Sequence, residues 1–246
     1  MKLTYIFHSG FAIETENLTI IIDYYKDSSE DAQKGVVHSK LLKNPGQLYI
    51  LSTHSHHDHF NPEILEWKEK RNDIKYIFSK DILDNKKAKP DDAVYLDKGD
   101  IYQDENLSIR AFGSTDLGVS YLIKMNGKII FHAGDLNNWH WNSESTEQEV
   151  KEAEDFYQRE LSFLSENVKH IDLVMFPVDP RLGKDYMKGA EQFIAAICTD
   201  IFVPMHFGMQ YEKANAFGSL AEKYKCRFIE LNKKGESFDL RKKSED

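Results

Sequence analysis

Short apolar runs, some alternating and some continuous, are separated by polar turns along this chain and predict strands mixed with helices. Residues 4–7, 12–14 and 18–23 read as the first strands, and the polar, acidic residues 24–34 as a surface loop. Leu48-Tyr49-Ile50-Leu51 is apolar, β-branched and aromatic, and reads as a buried strand. Asn61-Pro62 supplies an N-cap and a first helical position, predicting a helix from 62 to about 71. Strands at 75–78 and 93–96 flank a short helix at 80–87, and residues 106–112 alternate up to Gly113. Residues 121–125 and 128–132 are joined by Asn126-Gly127, a type I′ hairpin signal. Residues 145–169 form a long acidic helical stretch, with Val150, Ala153, Phe156, Tyr157, Leu161 and Leu164 marking one buried face. The remainder alternates: strand 172–176, helix 187–198, strand 201–203, helix 214–224, strand 227–231. Two similar halves without a Pro/Ser linker predict a single α/β domain over residues 1–246. A four-layer αββα sandwich fits, with loops of both halves meeting at one edge.

The densest chemistry follows the buried strand. His54-Ser55-His56-His57-Asp58-His59 places four candidate metal ligands, His54, His56, Asp58 and His59, within six residues. Neutral imidazole and carboxylate are the donors that Zn²⁺ and its transition-series neighbours accept. A strand anchors the loop, so its donors can be turned toward one point. A solvent-facing histidine tract would lack both the interrupting Asp58 and the apolar anchor.

His54-x-His56-x-Asp58-His59 resembles the signature of the metallo-β-lactamase-fold hydrolases, and further pieces occur in the expected order. Phe131-His132-Ala133-Gly134-Asp135 is similar to that family's Gly-Asp motif, and Pro204-Met205-His206 to its late Pro-x-His motif. His8-Ser9-Gly10-Phe11 and Ile20-Ile21-Ile22-Asp23 resemble the opening of the branch that includes L-ascorbate-6-phosphate lactonase. The resemblance implies that His54 and His56 hold one metal, that Asp58, His59 and His206 hold the other, and that Asp135 bridges. It implies Zn²⁺, as one or two ions, with Mn²⁺, Fe²⁺ or Ni²⁺ as alternatives. Asp58 and Asp135 then serve catalysis as well as coordination, in a hydrolase that activates water against a small-molecule ester, lactone or phosphate ester. His132 reads either as a proton donor or oxyanion contact, or as a group that hydrogen-bonds to a metal ligand. An iron-dependent oxidoreductase on the same fold and a metal-dependent nuclease or phosphodiesterase are the alternatives.

One departure stands out. Ala111-Phe112-Gly113-Ser114-Thr115-Asp116 carries Ser114 where the family usually has a histidine. Asp116 could complete that metal site, or water could, and Asp116 also reads as a simple turn residue. Trp139-His140-Trp141 reads as a substrate wall or as packing beneath a loop. Arg181, Lys184 and Lys188 are candidate contacts to a substrate anion, or solvated loop charges. His57 reads as a neighbour of the ligands, and His8 as a histidine that holds a tight turn.

Composition narrows the partners. A chain of 246 residues, 41% hydrophobic and 30% charged, is ordinary for a globular protein. The net charge of −9 argues against binding extended nucleic acid and leaves a small-molecule substrate as the expected partner. Cys198 and Cys226 make no ligand pair and read as reduced thiols of a cytoplasmic protein. Residues 1–7 alternate like a strand, unlike a signal peptide, and no apolar run approaches the roughly eighteen residues of a membrane span.

Overall fold

The computed structural model describes residues 1–240. The chain divides into two compact units, one comprising Met1–Tyr95 with the described residues from Asn232 onward, the other Leu96–Leu231.

The first sheet contains β1 (Lys2–Phe7), β2 (Gly10–Glu14), β3 (Leu18–Ile22), β4 (Gln47–Ser52), β5 (Ile74–Ser79) and β6 (Val94–Leu96), which neighbour one another in that order. β1, β2 and β3 pair antiparallel, whereas β3, β4 and β5 run parallel. Parallel neighbours buried on both faces account for the continuous apolar run in β4, in register with β3 at Ile21↔Ile50 and with β5 at Leu51↔Ile77. α1 (Val36–Ser39) lies between β3 and β4, and α2 (Lys80–Asp84) between β5 and β6. Ile21, Leu48, Ile50, Phe60, Trp67 and Phe78 form the heart of its core.

The helix expected over 62–71 is instead a run of 3-10 turns, Pro62–Glu69, capped by Asn61, whose side chain accepts the Glu63 N–H at 3.0 Å. Proline and cap start it where the sequence indicates. Burial of Ile64 and Trp67, three residues apart, suits the tighter three-residue repeat.

The second unit contains β7 (Ile101–Gln103), β8 (Ser108–Gly113), β9 (Val119–Met125), β10 (Lys128–His132), β11 (His170–Pro177), β12 (Cys198–Met205) and β13 (Arg227–Phe228), also in spatial order. β7 to β10 form an antiparallel meander, and β10 to β13 are parallel. At the β9–β10 turn, Asn126 and Gly127 both have positive φ (50° and 70°), as a type I′ turn requires. α3 (Glu147–Asn167) begins with a capping box between Thr146 and Glu149. Tyr157, Leu161 and Leu164 are buried, whereas Phe156 is exposed and lies beneath the Arg159 guanidinium, so the buried stripe is narrower than expected. α4 (Lys188–Ala196) follows, and the helix expected over 214–224 is broken into α5 (Tyr211–Asn215) and α6 (Gly218–Lys223). Its break has two visible causes: the Asn215 side chain leaves the helix to bond both backbone groups of Leu231, and Gly218 approaches the Phe228 ring. Phe131, Phe176 and Phe202 project from β10, β11 and β12 into an aromatic chain completed by Phe193 and Phe217, with neighbouring centroids 4.6 to 6.2 Å apart.

Finally β14 (Ser237–Asp239) returns to pair antiparallel with β1, giving each unit a seven-stranded sheet among the described residues. No described helix is long and apolar enough to cross a membrane.

Candidate metal centre

In the first unit the candidate donors lie beyond the carboxyl ends of its parallel strands, where α/β sheets generally bind ligands. Asp23 directly follows β3 and is wholly buried in a left-handed conformation (φ 51°). Its backbone N–H donates to Leu51 O at 2.9 Å, and its carboxylate accepts the Thr53 N–H and the Thr53 hydroxyl, each at 2.7 Å. The start of the histidine loop is thereby fastened to the neighbouring strand. Asp81 of α2 accepts the Ser55 N–H at 2.9 Å, and His59 and Phe60 both donate backbone N–H groups to His56 O. A loop of six residues is thus held at its base, middle and end.

These anchors gather three imidazoles. The ring of His54 lies 4.8 Å from that of His56 and 4.0 Å from that of His59, centroid to centroid. His59 Nδ1 lies 2.7 Å from Asp23 Oδ2, and both groups are buried. A carboxylate at Nδ1 fixes the tautomer that offers a lone pair at Nε2. Asp58 extends to His8, with Oδ2 3.2 Å from His8 Nε2. His57 points to solvent against Tyr25 and takes no part in the cluster.

The second unit repeats this logic. Asp135, Asp179 and His206 follow the adjacent parallel strands β10, β11 and β12 and are all buried. Asp135 Oδ1 lies 3.4 Å from His206 Nε2, and His206 Nδ1 lies 3.0 Å from Asp179 Oδ2. Arg181 clasps the Asp179 carboxylate through Nε and a terminal nitrogen. Burial alone would raise the Asp179 carboxyl; the hydrogen bonds from His206 and Arg181 outweigh it and hold it at about 2. Asp179 is therefore ionised throughout the neutral range, and it fixes His206 as Asp23 fixes His59. His206 itself adopts φ 64° just after β12.

A cavity of about 220 Å³ opens in this unit beside Asp135 and His206, with Thr115 and Asp116 also on its wall. Trp139, Trp141 and Arg181 supply the rest of the lining. The two indoles are nearly parallel (12°) at 6.1 Å, and the guanidinium sits 6.0 Å from the Trp141 ring. Trp139 is aimed by its Nε1–H, which donates to Asp135 O at 2.8 Å. Thr115 Oγ1 accepts the Asn137 N–H at 2.9 Å. Gly189 leaves room for this loop, since a Cβ there would lie 2.0 Å from Asn137 Oδ1.

Of the remaining candidates, Asp116 is exposed on the cavity wall, its N–H donating to the buried Ser114 Oγ at 3.3 Å. His132 does not line the cavity; it is fully buried, and its Nδ1 accepts the Gly134 N–H at 3.2 Å. His140 is buried too, with Nε2 3.2 Å from Asp185 O. Lys188 pairs with Glu154 outside the cavity lining, and Lys184 is exposed. Asp23 and Asp179 carried no role in the sequence reading. Their only visible sign there is an acid at the end of an apolar run, Ile20-Ile21-Ile22-Asp23 and Met175-Phe176-Pro177-Val178-Asp179.

The donor set suits a divalent transition cation. Imidazoles fixed by carboxylates and further ionisable oxygens are the chemistry such ions take up. Comparison with known proteins agrees. The sequence profile of the family described as the beta-lactamase superfamily domain matches residues 2–153. Comparison with curated protein sequences gives no match. Among solved structures, the chain is similar to Igni18, a metallo hydrolase from Ignicoccus hospitalis (TM-score 0.66, 19% identity, covering 97% of this chain and 98% of that one). It is also similar to an isothiocyanate hydrolase from Delia radicum gut bacteria (TM-score 0.58, 14% identity, 97% and 99% covered). CmlA, a diiron β-hydroxylase from Streptomyces venezuelae, aligns at TM-score 0.65 and 14% identity over 96% of this chain and 53% of that one. With well over half of its length matched by the family profile, the chain belongs to the beta-lactamase superfamily and has the metallo-β-lactamase fold.

Proposed function

We propose that the protein is a metal-dependent hydrolase of a small ester, lactone or phosphate ester. Its candidate ligands are His54, His56, Asp58 and His59 in the first unit, and Asp135 and His206 in the second. The observation that carries this reading is the pairing of His59 with Asp23 and of His206 with Asp179, at 2.7 and 3.0 Å. A structural histidine needs one good hydrogen bond; holding Nδ1 of two histidines at strand ends on buried carboxylates is how coordinating imidazoles are oriented. Bound metal supplies Lewis acidity and lowers the pKa of water toward neutrality. The chain's own residues orient the donors and present the substrate. Trp139 and Trp141 offer a flat apolar wall to the substrate, and the Arg181 guanidinium caps its outer edge.

Metal content of the purified protein, with a metal-loaded screen of lactones, esters and phosphate esters, tests this reading. One or two equivalents of Zn²⁺ or Mn²⁺ and hydrolysis of one of these classes are expected. Asp135→Ala should abolish turnover and lower metal content. Absence of metal after supplementation, or Asp135→Ala with full activity and full metal, would overturn the reading. Bound iron with oxygen-dependent turnover in place of hydrolysis would redirect it to an oxidoreductase.

A further inference from the structure

We infer that His8, in the first turn of the chain, is an additional metal ligand, joining Asp58 and His59 at the same ion. The inference rests on the metal-dependent reading above and goes beyond the ligand set given there.

Three observations converge on His8. Its Nε2 lies 3.2 Å from Asp58 Oδ2, its ring stands edge-on to that of His59 at 6.2 Å, and one donor atom from each of His8, Asp58 and His59 falls within 4.8 Å of the others. The 3.2 Å separation is that of two donors around a single cation, since ligands about 2 Å from an ion lie roughly 3 to 4 Å apart, and 4.8 Å bounds the others. The backbone is the second observation. His8 has φ 58°, in the left-handed region that a β-carbon disfavours and that glycine would adopt at no steric cost. The Tyr5 hydroxyl accepts the His8 N–H at 3.0 Å and braces this conformation. Asp23 and His206, at the ends of β3 and β12, share this left-handed conformation with His8. The third is the fit of this turn against the rest of the centre. Gly10 brings the hairpin so close to Asp23 that a Cβ there would lie 3.0 Å from Asp23 O. The turn that aims His8 therefore leans on the same residue that fixes His59. Its side chain is largely buried, at 12% exposure, so the imidazole is not a solvent-facing group.

A ligand and a mere hydrogen-bond partner of Asp58 predict different results, and cobalt(II) reports on both. Co²⁺ is titrated into metal-free wild-type, His8→Gly and His8→Gln proteins, with affinity measured by chelator competition and coordination by the visible d–d absorption. His8→Gly relieves the backbone while deleting the ring; His8→Gln keeps an N–H for Asp58 but is a poor ligand for Co²⁺. Expected are a loss of affinity of at least about tenfold and a changed d–d spectrum in both variants, with both properties restored in His8→Gly by added imidazole. Wild-type affinity and spectrum in His8→Gly, or in His8→Gln, would overturn the inference and leave the hydrolase reading standing. Failure of the wild-type protein to bind Co²⁺ would overturn both.

Discussion

At the scale of single residues, buried carboxylates decide how the histidines face. Asp179 does not line the cavity beside His206, yet it holds His206 Nδ1 at 3.0 Å and is itself clasped by Arg181. Asp179→Asn keeps the shape but removes the charge, and a neutral amide can present an N–H to the ring as easily as an oxygen. Metal affinity, measured by chelator competition, should fall by about 10- to 100-fold with the fold intact by circular dichroism. A second residue-scale question concerns Ser114 and Asp116. Asp116 stands on the wall of the cavity that holds Asp135 and His206, whereas the Ser114 hydroxyl accepts a backbone N–H. If Asp116 completes a metal site, Asp116→Ala lowers the metal stoichiometry and Ser114→Ala leaves it unchanged. Full stoichiometry in Asp116→Ala reduces Asp116 to a turn residue.

At the scale of elements, the first sheet carries a pH-sensitive clamp far along the chain from the histidine loop. Glu14, ending β2, is nearly buried and receives Lys2 at 2.9 Å, Lys40 at 2.7 Å and Asn44 at 2.9 Å. Burial would raise its carboxyl, but the hydrogen bonds from Lys40, Lys2 and Asn44 outweigh burial and lower it below the ordinary glutamate value. A folded-state value below that of the unfolded chain, about 4.3, makes the ionised form stabilising. That contribution is fully present above about pH 4.3 and is lost as pH falls through the folded value. Urea midpoints of wild type and Glu14→Gln should therefore differ most at neutral pH, by an amount equivalent to about 1–3 kcal/mol, and converge in acid. A constant difference from neutral to acid pH would show that the clamp is not ionic.

Local signals predict elements well where they act within a few residues. Asn126-Gly127 forms its turn because both residues tolerate positive φ, and Thr146-Glu149 starts α3 because the two side chains cap each other. Signals fail where a distant partner competes. Asn215 leaves its helix for Leu231, and Phe156 falls outside a stripe that only the packed neighbours define.

At the scale of the whole molecule, charge selects against one class of partner. With a net charge of −9, several Lys–phosphate contacts would have to form against an overall repulsive field. Fluorescence anisotropy with duplex DNA or RNA at physiological salt should show no saturable binding. Tight, salt-sensitive binding would reopen the nuclease alternative.

The linear chain already carried the candidate metal donors and the order of most elements. Four donors in six residues after an apolar strand admit few readings, and strand or helix periodicity depends on contacts between near neighbours. Tertiary structure alone decided which acids serve the histidines. Asp23 stands 36 residues before His59, and Asp179 27 before His206, and each pair meets only because parallel strands in register end side by side. It also decided that His8 reaches Asp58, and that Trp139 and Trp141 line the cavity beside His206 while His140 between them is buried against Asp185. Such meetings are set by sheet register and by packing over the whole core, and no spacing along the chain encodes them.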